Sequence, residues 1–158
     1  MDSKKLKSAL QGIIEKDMVF GAPGSQWKHL ILIKAENFTE VMGTLRQEES
    51  FCFDHLECIT CHEEEKKLVL SWFLESTRDH EKMIVRVKMP LDKECEIPTA
   101  LPLWPAAEGF ENEIEILFGV AFSGRAKSNL SGVRFEPIVS GYPLRKNFIY
   151  PSGKDQSQ

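Results

Sequence analysis

The chain has 158 residues, 42% of them hydrophobic and 28% charged, the composition of an ordinary soluble globular domain. A domain of this size buries roughly two thirds of its unfolded surface, so its four cysteines are not needed as disulfides. A net charge of −4 argues against nucleic-acid binding, whose affinity rests on a basic face.

Met1-Asp2-Ser3-Lys4-Lys5 is followed by no apolar run of signal-peptide length. The longest apolar-rich stretch, Leu68 to Leu74, is far shorter than the ~20 residues that cross a bilayer. These features predict a cytoplasmic protein that meets a membrane only through a partner.

Leu6, Leu10, Ile13 and Ile14 recur at helical spacing and predict an amphipathic first helix, with Ser3 as its cap. Gly21 to Ser25 is a loop by its Pro23 and Gly24. Leu30-Ile31-Leu32-Ile33 reads as an interior strand. Asn37 precedes Glu40 at capping-box spacing, and Phe38, Val41, Met42 and Leu45 supply the buried face of a second helix.

Three strands joined by charged turns follow. The first covers about Phe51 to Thr60 and turns at Glu63-Glu64-Glu65-Lys66. The second aligns Leu68, Leu70, Trp72 and Leu74 on one face. After Thr77-Arg78-Asp79-His80, the third aligns Met83, Val85, Val87 and Met89 opposite Arg86 and Lys88. This alternation fits antiparallel pairing with one half-wetted face. Pro98 and Pro102 confine the next stretch to a sheet edge. The order predicts an α+β fold of two layers, helices packed on a mixed, largely antiparallel sheet.

Cys58-Ile59-Thr60-Cys61-His62 is a literal C-x-x-C-H, the signature of covalent haem attachment. Against that reading, the motif ends a predicted strand, which turns Cys58 and Cys61 to opposite faces. Zinc or an iron–sulfur cluster could draw on Cys52, Cys58, Cys61, Cys95 and His62, but a second C-x-x-C is absent. Free thiols in a reducing compartment are the third reading. His29, His55 and His80 are scattered, with no nucleophile at a recognisable spacing. Gly21-Ala22-Pro23-Gly24 lacks the Lys and the glycine register of a phosphate loop.

Pro105 suits a first helical position. Phe110, Ile114, Leu117 and Phe118 then form an apolar stripe, and Gly119 is placed to end the helix in a left-handed turn. At about 100° per residue, Glu108, Glu111 and Glu115 line one border of the stripe and Glu113 the other. The acidic border reads as a solvated face or as a docking face for a basic partner, and no catalytic group accompanies it. Ser123 to Ser140, with Gly124, Gly132 and Pro137, keeps no period. In Tyr142-Pro143-Leu144-Arg145-Lys146-Asn147-Phe148, Pro143 biases Tyr142 toward an extended conformation. Apolar and basic side chains alternate there, as in peptides that lie on a neighbour.

Trp104-Pro105-Ala106-Ala107, then Glu111, Glu113, Phe118, Gly119, Val120, Phe122 and Gly124, then Gly141, Pro143, Leu144, Arg145, Lys146 and Phe148 form an ordered, spaced pattern. In it the chain resembles the 30 kDa subunit family of respiratory complex I (NADH:quinone oxidoreductase) and of the related membrane-bound energy-converting [NiFe] hydrogenases. Where the family pattern carries Arg, Asp, His and Asp, this chain has Asn112, Ile116, Arg125 and Asn147, which suits a divergent member. The resemblance implies a hydrophilic accessory subunit with no cofactor and no catalytic residue of its own, peripheral on the inner face of the cell membrane. Its implied partners are the catalytic large subunit, with the quinone site or the [NiFe] centre, and the neighbouring iron–sulfur subunit. Its implied partner-binding residues are Glu111, Glu113, Phe118, Gly119, Tyr142, Pro143, Leu144, Arg145 and Lys146. The organisation expected is an α+β domain over residues 1–122 and an extended partner-binding segment over 123–158. The alternative is a stand-alone haem or metal redox protein using Cys58, Cys61 and His62.

Overall fold

The computed structural model describes Leu6 and residues 8–19, 27, 29–91, 94–125 and 141–150. Five strands form one mixed sheet in the order β1-β2-β5-β4-β3: β1 Ile14–Val19, β2 His29–Ile33, β3 His55–Glu64, β4 Lys67–Ser76 and β5 Glu81–Pro90. Only the β2–β5 pair is parallel. Helix α1 spans Phe38–Gln47 and α2 spans Ala107–Phe118. Between them lies β6, Glu96–Pro98, which pairs in parallel with β7, Ala121–Ser123, as a separate two-stranded sheet. The fold is α+β in two layers, as the order of elements predicts.

Alternation in β4 and β5 sets the core. Trp72 lies opposite Val85 and Leu70 opposite Val87, while Ile31 and Ile33 extend the same rows through the parallel pair. Leu68, Leu70, Trp72, Leu74, Met83, Val85, Val87 and Met89 are all buried. Phe38, Val41, Met42 and Leu45 of α1 join them, with the Phe38 and Trp72 rings 4.7 Å apart. Helix α2 packs across β3 through Ile114 and Phe118.

Several local expectations are corrected. Leu6 and Leu10 are buried in a helical turn, but Gly12 takes φ +82° and Ile14 opens β1 instead of continuing the helix. The Ser3 cap and the Gly21–Ser25 loop lie outside the described residues. Asn37 makes no side-chain cap, because a 3-10 turn over Ala35–Asn37 leads the chain into α1. Phe51 to Phe53 is a helix exit rather than a strand. The Phe51 and Cys52 amides return to Glu48 O, the Phe53 amide bonds Leu45 O, and Cys52 has φ 46°.

Strand β3 therefore starts later and runs through Glu64. Its turn is only Glu65-Lys66, both at positive φ (48° and 59°), the two-residue geometry that matches strand twist. Pro105 sits in the turn before α2, two residues ahead of the helix. The adjacent Trp104 indole donates to Phe53 O at 3.1 Å, tying that turn to the exit of α1.

Candidate functional site

An α-helix ends with carbonyls that lack intrahelical donors and carry the negative end of its dipole. At the end of α2, Gly119 adopts φ 69°, ψ 39° and donates its amide to Glu115 O at 3.0 Å, the left-handed stop that its position predicts. The Leu117, Phe118 and Gly119 carbonyls are met from far along the chain. Leu144 N–H donates to Leu117 O at 3.1 Å. Arg145 Nε donates to Phe118 O at 2.7 Å, and Nη2 to Gly119 O at 3.4 Å.

Residues 141–148 are therefore a strap across the C-terminus of α2. The strap turns on itself through Arg145 N–H to Tyr142 O (3.1 Å) and Phe148 N–H to Arg145 O (3.0 Å). Glu63 Oε2 at the end of β3 accepts the Lys146 amide at 2.9 Å. The Arg145 guanidinium lies 4.6 Å from the Tyr142 ring centroid, within cation–π range. That ring occupies the space where a Gly119 side chain would be, so a methyl group there would overlap it.

The strap's Leu144 and Lys146 amides and the Arg145 guanidinium thus face the domain, and the Leu144 side chain faces outward with Ile149 and Tyr150. Tyr142, Leu144, Ile149 and Tyr150 are 43%, 52%, 87% and 70% exposed, and they are all of the exposed large hydrophobics among the described residues. Lys146 and Glu113 are also exposed, whereas Pro143 and Arg145 are half-buried. The geometry brings Phe118, Gly119, Tyr142, Leu144, Arg145 and Lys146 into one place. Arg145, which the resemblance implies as partner-binding, here binds backbone carbonyls of its own chain. Glu63, Ile149 and Tyr150 complete the site and were not among the expected residues. Alternation of Phe148 and Tyr150 with Ile149 was the available signal for two of them. Nothing local marks Glu63, which meets Lys146 only through the fold.

Glu111 faces inward instead. Its fully buried carboxylate accepts from Thr99 Oγ1 at 2.6 Å and from the Ala100 amide at 2.8 Å, pinning the turn between β6 and α2. Burial pushes its pKa up, against the opposing pull of those two hydrogen bonds and of Arg125. Two of the four departures from the family pattern, Asn112 and Arg125, also meet in space. Arg125 Nη1 donates to Asn112 Oδ1 at 2.7 Å, and its Nη2 pairs with Glu115. An arginine in place of Asn112 would set two guanidinium groups against each other, so the two replacements match.

The C-x-x-C-H residues do not converge. Cys58 is opposite Phe73 and His62 opposite Val69 on one face of β3, while Cys61 is opposite Leu70 on the core face. Burial raises the Cys58 thiol, with Glu57 adding to it. Cys61 is pushed up to about 12, chiefly by burial. Among the described residues, no group of three His, Cys, Asp or Glu side chains is arranged to hold a metal ion.

Comparison with known proteins places this geometry in a lineage. The profile of the respiratory-chain NADH dehydrogenase 30 kDa subunit matches residues 31–154. The NADH-quinone oxidoreductase C subunit of Chelativorans sp. is 28% identical over 121 residues, covering 75% of this chain and 58% of that protein. The C/D subunit of the same enzyme in Photorhabdus laumondii is 42% identical over 57 residues, 36% of this chain and 9% of that protein. The chain thus spans no more than 58% of the length of either relative. In fold it is similar to a chain of the membrane-bound sulfane sulfur reductase, an archaeal respiratory membrane complex, with TM-score 0.73 and 22% identity over 92% of this chain and 84% of that one. With nearly four fifths of its length matched to the profile, the chain belongs to the family of the respiratory-chain NADH dehydrogenase 30 kDa subunit.

Proposed function

We propose that the chain is a non-catalytic, hydrophilic accessory subunit of a complex I-like NADH:quinone oxidoreductase or of a related membrane-bound [NiFe]-hydrogenase-type assembly. It docks on the catalytic large subunit beside an iron–sulfur subunit and supports electron transfer by holding that assembly together. The observation that carries this reading is the strap with the two residues that follow it, where Leu144, Ile149 and Tyr150 are exposed while the Leu144 and Lys146 amides and the Arg145 guanidinium are satisfied within the domain. A surface of that kind gains free energy only when another surface covers it.

Tyr142, Leu144 and Lys146 contact the partner, with Glu113 at the border. Pro143 shapes the strap. Phe118, Gly119 and Arg145 hold it, and Glu111 supports the base of α2. The C/D relative supports a large-subunit neighbour, since two subunit letters there share one polypeptide. Among the described residues no helix is long and apolar enough to cross a membrane, which agrees with attachment at the inner membrane face through the partner.

The test is co-expression with an affinity-tagged large subunit of such a complex. Leu144→Glu combined with Tyr150→Glu is expected to remove this chain from the purified complex while leaving its circular dichroism unchanged. Undiminished co-purification of that variant would refute the reading.

A further inference from the structure

The strap presents an unusual combination, because a segment with its apolar side chains outward is nevertheless held in one conformation by its own domain. Besides the Leu144 amide on Leu117 O, three contacts hold it. The Arg145 fork bridges two carbonyls at the end of α2, Tyr142 lies under that guanidinium and over Gly119, and Glu63 takes the Lys146 amide. None of the three depends on the apolar ridge formed by Leu144, Ile149 and Tyr150.

We propose that Arg145, Tyr142 and Gly119 form a latch that sets the docking ridge before any partner arrives, and that the ridge fits an apolar groove with a basic rim on a protein partner. This inference rests on the docking reading above and specifies how the surface is made. Arg145 is a positioning residue, since its guanidinium is committed to the domain, and the ridge is the contacting surface.

The occupant follows from charge. The strap carries one exposed cation, Lys146, with the Glu63 carboxylate on its amide. Glu113 is exposed on α2 one helical turn before Leu117, the residue whose carbonyl receives Leu144. The whole chain carries −4. An anionic lipid surface or a second copy of the chain would bring like charges against these carboxylates, whereas a basic rim complements them.

Hydrogen exchange on the isolated full-length chain tests the latch without any partner. The Leu144, Arg145 and Phe148 amides are expected to be protected. Arg145→Ala is expected to lower that protection about 10- to 100-fold, the range for losing a charge-assisted hydrogen bond, with the amides of β4 and β5 unaffected. Arg145→Lys, which keeps the charge but loses the fork and the stacking, should fall between the two.

Affinity for the co-expressed large subunit should then drop in Arg145→Ala by the same factor as the latched fraction, as expected when only one conformer binds. Unprotected strap amides in the wild type, or an affinity that does not follow the latched fraction measured for Arg145→Ala, would overturn the latch. Binding of vesicles containing anionic lipid, or concentration-dependent dimerisation abolished by Leu144→Glu, would overturn the assigned occupant. A protected strap on a chain that does not bind the large subunit would overturn the docking reading and its occupant together, leaving the latch as measured.

Discussion

Replacing Gly119 by alanine probes the strap and the helix end together. Two effects separate cleanly. Gly119 has φ 69°, and an L-residue in the left-handed region costs about 1–2 kcal/mol. Reduced freedom of the unfolded chain offsets roughly 0.4–1 kcal/mol of this, leaving about 1 kcal/mol. The added methyl group also overlaps the Tyr142 ring, so the ring must swing out. At 43% exposure the ring has solvent to move into, which limits the loss to its packing and its contact with Arg145. An exposed cation–π pair is worth about 0.5–1 kcal/mol, and the total for Gly119→Ala comes to about 2 kcal/mol. In a Tyr142→Ala background only the backbone effect remains, about 1 kcal/mol. Urea denaturation of the four proteins gives the coupling directly, and for a chain of this size each kcal/mol corresponds to about 2–4 °C in Tm. If Gly119→Ala destabilises both backgrounds equally, within ~0.3 kcal/mol, the ring does not pack on Gly119 and the latch lacks one of its three contacts.

Two further outcomes concern groups inside the domain. Glu111→Ala strands the Ala100 amide and the Thr99 hydroxyl and should destabilise by about 2–4 kcal/mol, given about 1–3 kcal/mol for each buried unsatisfied group. Glu111→Gln should be milder and should change the pH response. The folded pKa of Glu111 is raised, so its favourable contribution is complete below the unfolded value and is lost as pH rises through the folded one. Urea midpoints between mildly acidic and neutral pH should show the wild type losing ground to Glu111→Gln as pH increases, and parallel curves would refute the assignment. Cys61, at about 12 against an ordinary 9.0, should hold on the order of a thousandth of the thiolate of a free cysteine at pH 8. Mass spectrometry after a short iodoacetamide pulse should find it unmodified in the folded protein and modified in urea.

The parts of the fold that were legible are those where one physical rule acts alone. In β4 and β5 every second residue is large and apolar, and a period of two has a single structural solution when one face is buried. The face of α1 and the stop at Gly119 were legible for the same reason. β1 was hidden because Ile13 and Ile14 continue the helical spacing of Leu6 and Leu10, while the strand itself, Ile14–Val19, mixes polar and apolar residues. Only the left-handed Gly12 separates the two elements. Phe51 to Phe53 misled in the opposite direction. Its alternation imitates a strand, yet Cys52 at φ 46° turns both phenylalanines into the core beside α1. Local pattern cannot decide such a case, because the amide partners at Glu48 and Leu45 belong to a neighbouring element.

For the site, residue identity was legible but the direction of each side chain was not. A basic residue beside a proline suggests an interface, and nothing local says whether its partner is a carboxylate on another protein or a carbonyl 27 positions back in the same one. That difference decides how the strap can work. Ordering a free segment costs about 1–2 kcal/mol per residue, so a loose ten-residue arm would lose on the order of 10 kcal/mol of any binding free energy to its own immobilisation. With Arg145 holding the end of α2 and Glu63 holding Lys146, most of that ordering is completed during folding. The polar half of the segment therefore stabilises the domain, and its apolar half remains in water with its shape already set. Under the docking proposal, the outward orientation of Leu144, Ile149 and Tyr150 on a fixed backbone would let a small ridge bind without an entropy loss larger than the area it covers can offset.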